Sequence, residues 1–97
     1  MSFEQALNTT LAAALGDDQD LVFELRGAFV ESAERHCRAM ADAGDEGAWR
    51  DAALRLKGLA ASFGASGLME QASQAAAGRR DPQLLAEIRG AVAILSL

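Results

Sequence analysis

The amino-acid sequence predicts an all-α fold, an antiparallel up-down four-helix bundle with a short N-terminal helix over one end. Hydrophobic residues make up 51% of the 97 residues and many are alanine, while proline occurs once and tyrosine never. Apolar positions recur at the three- and four-residue spacing of helices. The connections between predicted helices are short, which forces neighbouring helices to run antiparallel. We expect a single domain spanning residues 1–97.

The first two helices are predicted from capping residues and apolar spacing. Ser2 begins a capping box, and Gly16 ends the first helix. The apolar positions of this helix are Phe3, Leu7, Leu11, Ala14 and Leu15. Asp17 or Asp18 is placed to cap the second helix, which we expect to run to about Ala43. The inward stripe of the second helix comprises Val22, Leu25, Phe29, Ala33, His36 and Met40.

Three further helices follow from turn and capping signals. Residues 44–47 form a turn that offers an N-cap to the third helix, which ends near Gly64. Ser66 is predicted to cap the fourth helix and Gly78 to close it. The Asp-Pro pair at 81–82 starts the fifth helix, because proline fits the first helical position. The apolar positions of the fifth helix are Leu84, Leu85, Ile88, Val92 and Leu95.

The composition argues against several classes of function. A net charge of -5 disfavours a nucleic-acid partner, because proteins that bind phosphate backbones carry a basic face. No apolar run reaches the roughly 18 residues of a membrane span, and the N-terminus lacks a signal-peptide pattern, so we expect a cytoplasmic protein. One cysteine and one histidine provide neither an internal disulfide nor a usual zinc site. Without a phosphate-binding glycine loop or a nucleophile elbow, we expect neither an enzyme nor a cofactor.

The third helix has two unlike faces. Its inward face, anchored by a large indole, comprises Trp49, Ala52, Ala53, Leu56, Ala60 and Phe63. Its outward face carries Leu54, Gly58 and Ala61, with Arg50 and Lys57 on one flank. A glycine inside a helix lowers helix stability by about 1 kcal/mol relative to alanine. Because glycine has no side chain, another surface can approach the helix closely at that position. Single exposed leucines are common, but a leucine beside an outward glycine also fits a docking surface.

The sequence around that outward face resembles the signature of histidine phosphotransfer (HPt) domains of bacterial phosphorelays. The segment Ala-Leu-Arg-Leu-Lys-Gly at 53–58, followed by Gly-Ala at 64–65, is similar to the family pattern A-H-x-L-K-G…G-A. The resemblance extends from about Asp18 to Gly78. It implies the HPt-like four-helix bundle and a role in two-component signalling.

One departure from the family pattern decides the chemistry that the resemblance implies. Leu54 stands where the family has its phospho-accepting histidine, and an alkyl side chain cannot accept a phosphoryl group. Lys57 matches the family lysine that helps to hold the phosphoryl oxygens. Gly58 matches the small residue that lets a receiver domain approach. The resemblance therefore implies a degenerate member of the family, a pseudo-HPt domain.

We therefore expect a non-catalytic module that docks a response-regulator receiver domain or a histidine kinase and competes with true phosphotransfer partners. Leu54, Gly58 and Ala61 form the apolar centre of the expected contact. The charged rim comprises Arg50, Arg55 and Lys57. An apolar centre framed by charge is the usual anatomy of a modest protein interface.

Two alternatives stay open at this point. His36 is the only histidine and the one candidate for a displaced phosphate acceptor, although its place on the inward stripe favours a partly buried core histidine. The second alternative is a structural bundle that self-associates as a homodimer. Phe23 and Val30 broaden the apolar arc of the second helix and are expected to contact the bundle, or else to form part of such a dimer surface.

Three other residues are assigned structural roles. Cys37 lies at the edge of the inward stripe and is more often a small apolar filler than a reactive thiol. Arg79 and Arg80, in the turn before Asp81, are expected to form a solvated patch.

Overall fold

Helices account for nearly all of the chain that the structure, a computed structural model, describes. The described residues are 9–13 and 18–96. Residues 9–13 are helical (α1), and no strand occurs among the described residues. Four longer helices follow, namely α2 (Gln19–Ala41), α3 (Glu46–Ser62), α4 (Ser66–Ala77) and α5 (Pro82–Leu95). The prediction of an all-α fold is confirmed. The predicted caps at Ser2 and Asp17 and the predicted helix end at Gly16 lie outside the described residues.

Aspartate caps start three of the four longer helices. The Oδ1 atom of Asp18 accepts a hydrogen bond from the backbone N–H of Leu21 at 3.0 Å. Asp45 caps α3 in the same way at 2.7 Å, and Asp81 caps α5 at 3.0 Å with Pro82 in the first turn. Each bond satisfies a backbone donor that has no partner within its helix. The caps therefore set where each helix begins and which residues face inward.

The fourth helix begins differently from the sequence prediction. Ser66 was expected to be its N-cap, but Ser66 is the first helical residue and the cap position is Ala65. No side chain caps α4. Ala65 is fully buried, so packing against the core holds this end of the helix where a capping side chain would otherwise act. Gly78 is the C-cap of α4, as predicted.

The four longer helices pack in a closed cycle. Helix α2 contacts α3 and α5, α3 contacts α4, and α4 contacts α5. The core between them draws residues from every helix. Its largest fully buried side chains are Phe29, Met40, Leu56, Leu68, Ile88, Val92 and Cys37. Leu11 of α1 is also buried in this core, which attaches the N-terminal helical segment to the longer helices.

Three long-range hydrogen bonds show which helix ends are neighbours. The indole Nε1 of Trp49, near the start of α3, donates to the carbonyl of Ala75, near the end of α4, at 2.8 Å. The Nε atom of Arg26, in the first half of α2, donates to the carbonyl of Leu95, the last residue of α5, at 3.0 Å. The backbone N–H of Arg80 donates to the Oε2 atom of Glu46 at 2.8 Å. The bonds of Trp49 and Arg80 place the α2–α3 turn beside the α4–α5 turn, and the bond of Arg26 places the first half of α2 beside the end of α5.

The apolar arc of α2 is only partly as predicted. Phe29, Ala33 and Met40 are buried as expected. Val30 is buried as well, but Phe23 is 73% exposed, so its expected contact with the bundle is wrong. Phe23 lies near the start of α2, where the described part of the chain places no helix over it.

The turn between α3 and α4 is shaped by glycine. Gly64 has a φ of +70°, a left-handed conformation that favours glycine. The side chain of Thr10 occupies the space that a Cβ atom at Gly64 would need, so α1 approaches this turn closely. Phe63, just before the turn, is half-buried at the C-cap rather than fully buried as predicted, and its ring centroid lies 4.9 Å from that of Phe29.

Candidate functional site

The outward face of α3 is as apolar and as open as the sequence predicts. Leu54 is 47% exposed, although it belongs to the large hydrophobic side chains that proteins usually bury. Gly58 and Ala61 are exposed on the same face. A Cβ atom built on Gly58 would meet no neighbouring atom within 4 Å. We call Leu54, Gly58 and Ala61 the docking face.

The opposite side of α3 explains why the docking face points outward. Trp49, Ala52, Ala53, Leu56 and Ala60 are all buried. The bond from Trp49 to the carbonyl of Ala75 fixes the rotation of α3 against α4, and it satisfies a carbonyl near the end of α4. With these residues in the core, the 100° step of the helix turns Leu54 and Gly58 toward solvent.

Three cationic side chains frame the docking face. Arg50 and Arg55 are exposed, and Lys57 is half-buried. None of the three forms an ion pair or a hydrogen bond with another residue in the described part of the chain. Asp51, exposed one turn before Leu54 on the same side, is the one acidic residue of α3 beyond its first turn. Cations of α3 therefore outnumber its anions around the docking face, on a chain whose net charge is -5.

His36 lies on α2, half-buried, and within the electrostatic reach of α3. Burial lowers the pKa of its imidazole below the usual 6.5, and the positive charges of Arg35 and Arg55 lower it further. Both effects favour the neutral form of the imidazole. The expectation that His36 is partly buried holds, but the residue borders the α2–α3 surface near the cationic rim.

Cys37 is more deeply buried than its predicted place at the edge of the stripe. It is 1% exposed and belongs to the core. Burial raises the pKa of its thiol and Glu34 raises it further, while the charge of Arg89 acts in the opposite direction. A buried thiol with a raised pKa carries little thiolate, so Cys37 acts as a small apolar core residue.

One polar cluster was missed by the sequence interpretation. Arg80 was expected to be a solvated arginine, but its Nε atom lies 3.3 Å from Oε1 of Glu46 and its Nη1 atom donates to the carbonyl of Ala43 at 3.0 Å. These bonds fasten the α4–α5 turn to the α2–α3 turn. No local pattern predicts a contact between residues 34 positions apart in the chain, and only the packing of the helices reveals it.

The side chains of the docking face are alkyl groups or, at Gly58, absent. Leu54 has no atom that accepts or donates a proton. No cluster of three or more potential metal ligands occurs among residues 9–13 and 18–96. Within the same residues, no helix is long and apolar enough to cross a membrane.

Comparisons with models of known families, with curated proteins and with solved structures gave no match.

Proposed function

We propose that this chain is a non-catalytic, HPt-like protein-binding module that docks a receiver domain or a histidine kinase of a phosphorelay through the docking face of α3. The observation that carries the proposal is the pairing of an exposed leucine with an open glycine one turn away, inside a sequence that resembles the HPt signature. The phosphorelay context comes from that resemblance.

The helix packing supports an antiparallel up-down bundle, the architecture that the proposal requires. Each of the four longer helices packs beside two others, and the backbones of the diagonal pairs, α2 with α4 and α3 with α5, do not approach each other closely. The start of α3 lies beside the end of α4, and α2 near its start meets the end of α5. A bundle in which the chain runs alternately up and down has these neighbours.

The docking face offers the binding energy of a modest protein contact. Fully burying an exposed leucine side chain contributes roughly 1.5–3 kcal/mol. Leu54 is 47% exposed in the free chain, so its burial by a partner would contribute about half of that. Gly58 leaves room for a partner backbone, and Ala61 extends the apolar strip by one turn. Charged residues at the rim of an interface add little to affinity. They speed association with a partner of opposite charge and disfavour partners of like charge. The partner surface is therefore expected to combine an apolar recess for Leu54 with acidic groups around it.

Loss of phosphate acceptance follows from the residue at position 54. The family pattern that this segment resembles places its nucleophile there, and Leu54 has none. Lys57, three residues later, lies one turn away on the adjacent flank. A protein that binds the same partners without taking their phosphate would compete with true phosphotransfer domains.

The proposal is tested by capture of partners from the source cells. Leu54→Glu places a charge in the centre of the docking face without disturbing the core, and we expect it to abolish binding at an unchanged melting temperature. Gly58→Leu should weaken binding by obstruction while strengthening the helix. Ile94→Glu is the matched control, because Ile94 is a comparably exposed apolar residue, 56%, on α5. Normal binding by both α3 variants would place the contact on another surface.

A second candidate function is phosphotransfer through His36. One observation favours it, since burial, together with the charges of Arg35 and Arg55, lowers the pKa of its imidazole and so favours the neutral, nucleophilic form. The half-buried position of the imidazole counts against it. Incubation with a phosphorylated receiver or with an active kinase and labelled ATP separates the candidates. If the protein only docks its partner, the wild type should take up no labelled phosphate. Acid-labile label on the wild type that disappears in His36→Ala would establish phosphotransfer.

A further inference from the structure

A cleft of about 550 Å³ opens at the end of the molecule where the α2–α3 and α4–α5 turns meet. It shares no residue with the docking face. Its accessible wall is mainly apolar and comes from Ala41, Pro82 and Ala86, while Met40, Trp49 and Leu85 lie almost fully buried behind it. Cavities of roughly 300–1,000 Å³ with apolar walls and a few convergent polar groups are the usual sites of small ligands.

Two arginines give this cleft its polar character. Arg80 is held in place by its bonds to Glu46 and to the carbonyl of Ala43, and these bonds use its Nε and Nη1 atoms. Its Nη2 atom makes no hydrogen bond within the described part of the chain. Arg89 reaches the cleft from α5, one turn beyond Leu85. Glu46 is the only carboxylate of the lining, and Arg80 already engages it.

We propose that this cleft binds a small organic anion in which an apolar ring carries one carboxylate or sulfonate group. The ring would cover the exposed apolar wall at Pro82 and Ala86, above the buried indole of Trp49, and the anionic group would accept hydrogen bonds from Arg80 and Arg89. Guanidinium groups suit oxyanions because their donors lie in one plane at fixed spacing. The chain's net negative charge weakens this attraction little, since exposed charges beyond about 8–10 Å are screened at physiological salt.

The proposal is tested with the fluorescent probe 1-anilinonaphthalene-8-sulfonate, which has both parts of the expected ligand. Titration of the protein with the probe, followed by the fluorescence of the probe, measures the affinity. Quenching of Trp49, the only tryptophan, shows that the bound probe lies near the cleft. We expect saturable binding at one site with quenching. The uncharged parent N-phenyl-1-naphthylamine should bind about tenfold more weakly or worse, because it cannot accept a charge-assisted hydrogen bond.

Matched variants assign the binding to the cleft. Arg89→Gln and Ala86→Glu change exposed residues of the cleft lining and should each weaken probe binding about tenfold. Arg38→Gln and Ala93→Glu change the same residue types outside the cleft and should leave binding unchanged. Absence of saturable binding, equal affinity for the uncharged parent, or equal losses in the cleft and control variants would each overturn the proposal.

Discussion

At the scale of single residues, the two leucines of α3 that lie two positions apart have opposite environments. Leu56 is fully buried, whereas Leu54 is 47% exposed. Leucine is therefore a core residue at position 56 and a surface residue at position 54. Stability and binding should respond to different members of this pair, which makes them separable by mutation.

We expect Leu56→Ala to lower the free energy of unfolding by about 2–5 kcal/mol, because it removes buried methyl groups and leaves a cavity. Leu54→Ala should cost under about 1 kcal/mol, since its side chain is already half in water. Urea unfolding of both variants measures the difference. Similar losses would mean that α3 is rotated from its described orientation and that Leu54 belongs to the core.

His36 makes a prediction for the pH dependence of stability. Its pKa is lower in the folded chain than the 6.5 of an unfolded chain, so the unfolded state binds the proton more tightly. The His36 contribution is fully present above pH 6.5 and is lost as pH falls from there through the folded pKa. Urea melts at about pH 8 and about pH 5.5 should show this loss in the wild type and a smaller loss in His36→Gln. An identical pH dependence in both would contradict the lowered pKa.

At the scale of the helices, the four longer helices begin in two different ways. Helices α2, α3 and α5 begin at an aspartate whose carboxylate accepts a backbone hydrogen bond. Helix α4 begins at buried Ala65 without such a bond. The start of α4 thus depends on packing, and its serine at position 66 has no capping role.

Substitution of the capping residues tests this division. Asp45→Ala should lower stability by about 1 kcal/mol, because the N–H of Ala48 loses its acceptor. Ser66→Ala should change stability by less than about 0.5 kcal/mol, since Ser66 is exposed and inside the helix. Thermal or urea unfolding measures both. A loss at Ser66 equal to that at Asp45 would restore the cap that the sequence predicted.

At the scale of the whole molecule, local signals predicted the helices well and the long-range contacts poorly. Asp81 was recognisable as a cap, Asp18 was one of two candidates, and the turn at 44–47 was expected to supply the cap that Asp45 provides. These signals are local because an N-cap acts on the backbone only two or three residues away. The inward and outward faces of α3 followed from helical periodicity. The exposure of Phe23 did not, because an apolar residue at the edge of a stripe faces the core or solvent according to where the neighbouring helices lie.

The docking face and the cleft also differ in how far short sequence patterns predict them. Leu54, Gly58 and Ala61 lie on one helix, so their spacing was enough to predict a shared exposed face. The contact of Arg80 with Glu46 and the cleft near Arg89 join residues from different helices. Their geometry depends on how the helix ends meet, which short sequence patterns do not encode.

Phosphoryl transfer to a Leu54→His variant tests most directly our proposal that α3 carries an HPt-like docking face without a nucleophile. The imidazole would stand three residues before Lys57 and four before Gly58, so that the ammonium can approach a phosphoryl group on it. The assay uses a labelled receiver that binds the wild type, with Leu54→His and the double variant Leu54→His/His36→Ala. We expect acid-labile label on both variants and none on the wild type. Variants that bind this receiver but stay unlabelled would contradict the proposal.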